Sequence, residues 1–460
     1  MIKLKKAVIH QYRCIETEQT LDVKDDITIL MGCNEAGKTS ILEALAKSNY
    51  FDRLDDHCAY DPTYDYPRRR KRELDRRRTS PLAVTLTYEV QEPLLRKINE
   101  EMMLAPSSTT FARITNYKGK YQIRENGFEY DPAAFWEAYA SRKDKNIERF
   151  RKSLASIHTK EEYNNFCERM KDQAGKEERQ SLLRLAPYFE NRHNWENPLN
   201  EYVFRVFLLP NIPKFMYYDE YYLLPSRISL DNLQDNTNLT PAERTAKAFL
   251  ALADIDLEKI TNAKDSENYK SELEAVQTAI TNDLLKYWTN NPNLRIVFEI
   301  IQEPVEPQKK GFRLFKKKEK PQFRSWMEIR ILNLKTGVSL PLENRSRGFN
   351  WFFSFWVWFK AIQRTGKTPY ILLLDEPGLN LHAAAQQDLL HLMQDLSKEY
   401  QTLFTTHSTY LLGQMKEHIY CVTDGENGTV IRPLSEETDK ETLLPLELYN
   451  QQLKKTKATI

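Results

Sequence analysis

One loop motif constrains the fold of this chain more than any other feature of its sequence. Gly32–Thr39 (GCNEAGKT) matches the pattern GxxxxGK[ST]. The apolar run Ile27–Met31 predicts a short buried strand before the motif, and apolar residues at helical spacing in Ser40–Phe51 predict a helix after it. A strand, a glycine turn and a helix in this order are typical of a phosphate-binding loop. We therefore predict an α/β fold of the P-loop NTPase class.

The residues of this loop indicate what it binds. Glycines at both ends of the motif let backbone N–H groups curl around the β- and γ-phosphates of a nucleotide. Lys38 adds a cation between these phosphates, and the Thr39 hydroxyl is a candidate ligand of Mg²⁺. We therefore predict ATP and Mg²⁺ as cofactors. The candidate nucleotide-binding residues of the loop are Asn34, Glu35, Ala36, Gly37, Lys38, Thr39 and Ser40.

A second motif supplies two acids. The apolar run Ile371–Leu374 predicts a buried strand that ends at Asp375 and Glu376. Asp375 is a candidate to hold Mg²⁺ through a water, and Glu376 is the candidate catalytic residue that polarises the attacking water. Ras-like enzymes position this water with a glutamine elsewhere, so the paired acids favour the ABC or AAA-type branch.

The segment Glu343–Gly348 (ENRSRG) favours the ABC branch. It ends 27 residues before Asp375 and precedes a predicted helix. This position suits an ABC signature motif, in which a helix N-terminus faces the γ-phosphate bound by the opposite subunit. Ser346 and Gly348 are therefore candidate nucleotide-binding residues.

Two elements after the acids support the same branch. Gly378–His382 follows the acids as the D-loop of an ABC-type ATPase would. His407 follows the predicted strand Thr402–Thr406, the position of a switch histidine that senses the γ-phosphate. We predict that His407 acts with Glu376 in catalysis.

The order of these motifs resembles the ABC-type ATPase head of the RecF/SMC branch, from Tyr12-Arg13 through the P-loop to the final TTHS. More narrowly, ENRSRGFNWFFSF and PKFMYYDEY are similar to segments of the OLD-family and Gabija-type ATPases of bacterial anti-phage defence. The resemblance implies that Arg13 contributes to the nucleotide site. It also implies a homodimer of heads, or a higher homo-oligomer, in which two chains sandwich two ATP molecules.

The chain departs from those relatives near its C-terminus. OLD and Gabija ATPases carry a Toprim nuclease after the switch histidine, whereas 53 residues follow His407 here, too few for such a domain. The sequence also has no CxxC pair to support an HNH nuclease module. It therefore resembles the stand-alone ATPase subunits of two-gene defence systems. Septu, with an HNH nuclease partner, and PARIS, with a Toprim effector partner, are the examples.

The change in sequence character along the chain predicts a split ATPase head. We expect residues 1–92 and 293–440 to form an ABC/SMC-like head, because strand patterns and all the nucleotide motifs lie there. For residues 93–292 the pattern predicts a mostly helical insertion, within which 205–230 is a candidate to rejoin the head. Residues 441–460 are predicted to be a C-terminal tail.

Two basic runs leave the question of nucleic acid open. The formal net charge of +2 argues against a uniformly basic surface. Arg68–Arg78, however, contains eight Lys/Arg among eleven residues, and it could bind nucleic acid, bind an acidic partner or be solvated. Lys309–Lys320 has seven among twelve, and we interpret it as the tip of a hairpin.

Cysteine use and hydropathy predict the compartment. The five cysteines are odd in number and widely spaced, which favours a reducing cytoplasm. The longest apolar run, Phe349–Phe359, is about half of what a bilayer-spanning helix needs. We expect a cytoplasmic location without membrane contact.

Together these features predict an ATPase subunit of a bacterial anti-phage defence system. ATP-dependent dimerisation of its heads would sense infection and control a separate nuclease or toxin effector. Two alternatives remain open. One is a RecF-like ATPase of DNA repair or recombination, and the other is an ATP-binding assembly scaffold with little turnover.

Overall fold

The computed structural model describes residues 1–51, 59–124, 127–218, 222–234, 239–253, 266–304, 323–365, 369–412 and 416–436. The predictions for the basic run Lys309–Lys320 and for the tail 441–460 lie outside these ranges. Among the described residues, no helix has both the length and the apolar character needed to cross a bilayer.

The described residues alternate between strands and helices, as an α/β fold requires. The strands are β1 (Ile2–Ile9), β2 (Gln19–Asp22), β3 (Ile27–Met31), β4 (Leu82–Val90), β5 (Thr110–Asn116), β6 (Tyr121–Arg124), β7 (Lys214–Tyr218), β8 (Arg227–Ser229), β9 (Leu294–Pro304), β10 (Phe323–Asn333), β11 (Ser339–Pro341), β12 (Tyr370–Leu374), β13 (Gln401–Thr406), β14 (Ile419–Gly425) and β15 (Gly428–Pro433). The α-helices are Lys38–Ser48, Pro62–Asp65, Lys71–Arg76, Glu92–Met102, Pro132–Arg142, Arg151–Ala155, Lys160–Met170, Lys176–Arg184, Pro198–Val203, Leu230–Gln234, Pro241–Leu252, Ser266–Leu285, Arg347–Thr365 and Ala383–Ser397.

A six-stranded sheet forms the centre, in the order β15-β14-β3-β13-β12-β7. All neighbours in it are parallel except β15, which pairs antiparallel with β14. Every residue of β3 and β13 is buried, because helices and sheets cover both faces of a parallel sheet. The loops that leave the carboxyl ends of β3, β12 and β13 therefore meet at one edge, where open α/β sheets bind ligands.

The two faces of the central sheet belong to two apolar cores. Successive side chains of a strand point to opposite faces. Accordingly, Ile371 and Leu373 of β12 lie in a core with the helix Lys38–Ser48 and the N-terminal sheet. Leu372 and Leu374 lie in a second core, which contains the aromatic side chains of the helix Arg347–Thr365 and the helix Ala383–Ser397.

An antiparallel sheet in the order β2-β1-β4-β5-β6 covers the first core. Burial alternates along β1 and β4, as expected for strands with one covered face. Strands β5 and β6 lie within residues 93–292, in the segment FARITNYKGKYQIREN, whose pattern predicts a hairpin, and β5 also pairs with β4 from Leu82 to Glu89.

A third sheet lies beside the second core, with β10 at its centre and β9, β8 and β11 as neighbours. The helix Ser266–Leu285 packs along β9, where Gln277 Nε2 donates to the Phe298 carbonyl (2.9 Å) and Thr281 Oγ1 accepts from the Ile296 N–H (3.0 Å). Side chains of the helix thus satisfy backbone groups at the edge of the sheet.

Residues 93–292 contribute strands to all three sheets, namely β5 and β6, β7, and β8. Helices do dominate between Pro132 and Val203. Strands β7 and β8 lie within 205–230, the candidate to rejoin the head, whereas the pairing of β5 with β4 is not indicated by the sequence pattern. Within 205–230, β7 pairs in parallel with β12 as the last strand of the central sheet.

Candidate nucleotide-binding site

The P-loop connects the buried strand β3 to the helix that begins at Lys38. Gly37 has a φ of +101°, and a Cβ atom on it would lie 2.2 Å from Thr429 Oγ1. A Cβ atom on Gly32 would lie 2.2 Å from the Val422 carbonyl oxygen. Because both positions exclude a side chain, the β14–β15 hairpin behind the loop fixes its path.

The predicted binding residues of the loop divide by exposure. Asn34, Glu35 and Thr39 are exposed, so that the Thr39 hydroxyl is accessible at the start of the helix. Ala36 is buried, and its carbonyl accepts a hydrogen bond from the Thr429 hydroxyl (3.0 Å). Ser40 is also buried, and its Oγ accepts from Cys14 Sγ (3.4 Å).

The Lys38 ammonium lies inside the loop, with only 5% of its side chain exposed. It donates to the carbonyl oxygens of Gly32 (3.0 Å) and Cys33 (2.9 Å). Its third partner is Glu376, whose Oε1 lies 3.1 Å from Nζ. A buried ammonium requires such partners, because desolvation of an unpaired charge costs several kcal/mol.

Glu376 connects the P-loop to His407. Its second carboxylate oxygen, Oε2, lies 2.7 Å from Nδ1 of His407. The three side chains Lys38, Glu376 and His407 come from the loops after β3, β12 and β13, and they form one chain of contacts. Together with Thr39 and Asp375 we call these residues the P-loop half of the site.

The two acids are held by groups that the sequence motifs did not indicate. Thr405 Oγ1 donates to Asp375 Oδ1 (2.7 Å), and Tyr217 OH donates to Asp375 Oδ2 (3.0 Å). The Glu376 N–H donates to Thr405 Oγ1 (2.7 Å). Thr405 lies in TTHS and Tyr217 in PKFMYYDEY, but the pattern of neither segment indicates that these side chains contact the acids.

The signature segment lies against the D-loop of its own chain. Ser346 is exposed, and its hydroxyl accepts from the Phe349 N–H (3.3 Å) at the start of the helix Arg347–Thr365. A Cβ atom on Gly348 would lie 2.7 Å from the Asn380 carbonyl oxygen, so Gly348 allows close packing on Gly378–His382. We call Ser346, Gly348 and Gly378–His382 the signature half of the site.

Arg13 is engaged by carboxylates near the P-loop helix. Its guanidinium forms an ion pair with Glu43 and lies 3.4 Å from Oδ1 of Asp65, which is 1% exposed. Lys47 contacts the same buried carboxylate at 2.6 Å. Burial raises the pKa of Glu43 above its ordinary value, against the opposite effect of the Arg13 and Lys47 charges. Whether Arg13 also contacts nucleotide stays a prediction.

A cleft of about 820 Å³ opens beside the P-loop. It adjoins the loop through Cys14, which contacts Ser40, and through Gly428, the neighbour of Thr429. Its other walls combine aromatic, basic and acidic side chains, among them Tyr64, Arg68 and Asp424.

The basic run Arg68–Arg78 forms a 3-10 turn, Arg68–Arg70, followed by the helix Lys71–Arg76. Within the described part of the chain, its ion pairs are Arg69 with Glu16 (3.5 Å) and Arg70 with Glu73 (3.8 Å). Most of its cationic side chains are exposed, which is compatible with each of the three interpretations given above.

The fold is that of a P-loop ATPase domain. A family model described as AAA ATPase domain matches residues 2–412, and the chain belongs to that family. The match confirms the predicted P-loop ATPase class. An uncharacterised protein of Methanocaldococcus jannaschii is 34% identical over 115 residues, which are 24% of this chain and 29% of that relative's length.

Similar solved structures include heads of SMC proteins. A head described as bound to the C-winged helix domain of ScpA is 12% identical, with a TM-score of 0.42 over 93% of this chain and 96% of that chain. A Pyrococcus furiosus Smc head with an extended coiled coil, bound to the C-terminal domain of ScpA, is 15% identical, with a TM-score of 0.40 over 94% and 96%. The Thermotoga maritima SMC head is 13% identical, with a TM-score of 0.36 over 94% and 98%.

Proposed function

We propose that this protein binds ATP with Mg²⁺ and hydrolyses the nucleotide. The observation that carries the proposal is the chain of contacts from Lys38 through Glu376 to His407 at the carboxyl edge of the central sheet. A cation, a carboxylate and an imidazole from three loops converge at a loop whose positions 32 and 37 have no room for a side chain.

The residues of the P-loop half fit Mg·ATP. Gly37 lets the loop backbone pack against Thr429 where a Cβ atom would clash, and Lys38 is a cation already fixed inside the loop. The accessible Thr39 hydroxyl and the Asp375 carboxylate are hard oxygen ligands, which Mg²⁺ prefers, and they would hold the ion. When bound, Mg²⁺ neutralises phosphate charge and helps to align the reacting groups.

Each side chain then has a definite role. Lys38 binds the phosphates, whose oxygens carry the same charge as the Glu376 carboxylate and can replace it as partner of the ammonium. Glu376, released from Lys38, orients the attacking water and accepts its proton. His407 stays within hydrogen-bond distance of Glu376 and holds its second oxygen.

The signature half supports a site shared between two chains. Ser346 is exposed at a helix N-terminus, and Leu379 of the D-loop is 51% exposed. A helix N-terminus attracts phosphate, and an exposed leucine beside it can be covered by a second copy. In this proposal, ATP held by the P-loop half of one chain contacts Ser346 of the other.

Two substitutions test the ATPase. Lys38→Ala should weaken ATP binding about 100-fold or more, since charge-assisted hydrogen bonds contribute ~1.5–3 kcal/mol each. Glu376→Gln should retain binding but lower turnover by about 10²- to 10⁴-fold, the usual contribution of a general base. Nucleotide binding by calorimetry and phosphate release give the two readouts, and Lys152→Ala, an exposed lysine, is the control. Wild-type protein that binds no Mg·ATP would refute the proposal.

The biological part of the proposal is a role in anti-phage defence with a separate nuclease or toxin effector. Its support is the similarity of ENRSRGFNWFFSF and PKFMYYDEY to OLD-family and Gabija-type ATPases. Phage plating on cells that carry the gene with its neighbours should show protection, and Lys38→Ala should abolish it. Protection that persists with Lys38→Ala would show that nucleotide is not needed. Hydrolysis stimulated by DNA, and lost when Arg68 to Arg72 are neutralised, would favour the RecF-like alternative instead.

A further inference from the structure

The geometry points to Thr405 and Tyr217 as positioning residues that hold the acid pair, a role that rests on the proposed ATPase function. Thr405 lies in TTHS and Tyr217 in PKFMYYDEY, but neither side chain is among the candidate nucleotide or metal ligands. They lie on β13 and β7, the strands that flank β12 on its two sides. Asp375 follows the end of β12, so a donor from each neighbouring strand reaches one oxygen of its carboxylate.

The Thr405 hydroxyl makes two hydrogen bonds of opposite sense. It accepts from the Glu376 N–H at 2.7 Å and donates to Asp375 Oδ1 at 2.7 Å. A hydroxyl has one proton, so acceptance from a backbone N–H leaves that proton for the carboxylate. Thr405 is fully buried, and a β-branched side chain has few rotamers, which fixes the oxygen between the two acids.

Tyr217 reaches the acid from the opposite side. Its hydroxyl donates to Asp375 Oδ2 at 3.0 Å. Its position follows from the register of the sheet, in which Tyr217 pairs with Leu373 and the Asp375 N–H donates to the Tyr218 carbonyl (3.2 Å). Each carboxylate oxygen retains further lone-pair capacity, so both donors can stay in place while Asp375 receives a metal-bound water.

The hydroxyls of Thr405 and Tyr217 should differ in which acid they position. Glu376 has a φ of +45°, an unfavourable region for a residue with a side chain, and the bond from its N–H to Thr405 helps to hold it there. Loss of the Thr405 hydroxyl therefore frees both acids, the candidate metal ligand and the candidate base. Loss of the Tyr217 hydroxyl frees only Asp375.

The test compares isosteric substitutions on the two strands. Thr405→Val and Tyr217→Phe each remove one hydroxyl, and Thr405→Ser should restore the wild-type behaviour. Matched controls are Thr402→Val on β13 and Tyr218→Phe on β7. Both controls are buried, and their hydroxyls donate to the carbonyls of Tyr400 (3.3 Å) and Tyr222 (3.4 Å) rather than to the acids.

Two readouts separate positioning from general destabilisation. The first is the Mg²⁺ concentration that half-maximally tightens binding of a fluorescent ATP analogue, and the second is kcat against KM for ATP. Thr405→Val should raise that Mg²⁺ concentration and lower kcat by about 10- to 100-fold, the usual effect of losing an outer-shell partner. Tyr217→Phe should raise the Mg²⁺ concentration about tenfold with a smaller fall in kcat. Analogue affinity without Mg²⁺ should stay constant throughout.

The outcomes distinguish this inference from the proposed function. If wild-type protein hydrolyses ATP and Thr405→Val behaves like Thr402→Val, the positioning role is wrong and the ATPase stands. If wild-type protein binds no Mg·ATP, both are wrong. If Thr405→Val does not fold, Tyr217→Phe provides the test. An unchanged Mg²⁺ requirement in that variant would refute the positioning of Asp375 by the Tyr217 hydroxyl.

Discussion

The P-loop half and the signature half differ in how completely one chain assembles them. In the P-loop half, Lys38 is buried with three oxygen partners, and its contacts continue through Glu376 to His407. In the signature half, Ser346 is exposed, and its hydroxyl accepts from the Phe349 N–H of its own helix. The first half is organised for a ligand within one chain, whereas the second presents its polar group outward. In the proposed function, one chain is therefore enough to bind ATP, whereas hydrolysis also needs the signature half of a second chain.

The largest expected effect comes from a substitution that distorts the P-loop. Gly37→Ala places a Cβ atom 2.2 Å from Thr429 Oγ1 at a φ of +101°. The clash and the backbone strain should distort the loop and weaken ATP binding about 100-fold or more, since such strain alone costs ~1–3 kcal/mol. Calorimetric titration with Mg·ATP measures this loss of affinity. The control is Gly119→Ala, also at positive φ but with open space around it, and equal losses in both variants would contradict the steric argument.

The next effect comes from blocking the signature half. Ser346→Arg should leave the ATP affinity of the single chain within about twofold, because an exposed substitution rarely disturbs distant contacts. Turnover should fall about 100-fold, as when one transition-state donor is removed. Light scattering with ATP should show loss of the dimer, and Ser153→Arg, another exposed serine, is the control. Full turnover at any protein concentration would show that the P-loop half acts alone.

The smallest expected effect is on the pH dependence of stability and comes from Glu43 on the helix Lys38–Ser48. Burial raises the pKa of Glu43, so in this region the folded state binds a proton more readily than the unfolded state. The contribution of Glu43 to stability should therefore be complete below its ordinary pKa of 4.5 and decline as pH rises through the raised pKa. The difference in Tm between wild type and Glu43→Gln, followed from pH 4 to 7, should shift in favour of Glu43→Gln. A difference that does not change with pH would contradict the raised pKa.

The sequence motifs predicted the P-loop class because their chemistry is local. A strand, a glycine turn and Lys38 lie within a dozen residues, and the family match confirms the class that they indicate. The order of the motifs predicts that Glu376 and His407 act together, and the fold gives the physical reason for their proximity, because the carboxyl ends of parallel strands share an edge. The structure places them together, although their catalytic roles stay predictions.

What the sequence could not predict depends on which strands are neighbours. Thr405 and Tyr217 matter only because β13 and β7 flank β12, and Tyr217 is 158 residues from Asp375 along the chain. The sequence also could not predict that Arg13 contacts Asp65, because the two residues lie in separate segments that only the fold brings together. The attachment of β5 to β4 also depends on strand pairing, which composition and periodicity do not encode.

The helix Ser266–Leu285 has a consequence for how copies of this chain can associate. An uncovered strand edge invites pairing with a strand from another molecule, which leads to open-ended aggregation. Around Ile296 and Phe298 that route is closed, because Thr281 and Gln277 already occupy the backbone groups of β9. Association through continuous sheets is therefore disfavoured there. The two-chain assembly proposed above would therefore meet less competition from open-ended growth through this strand.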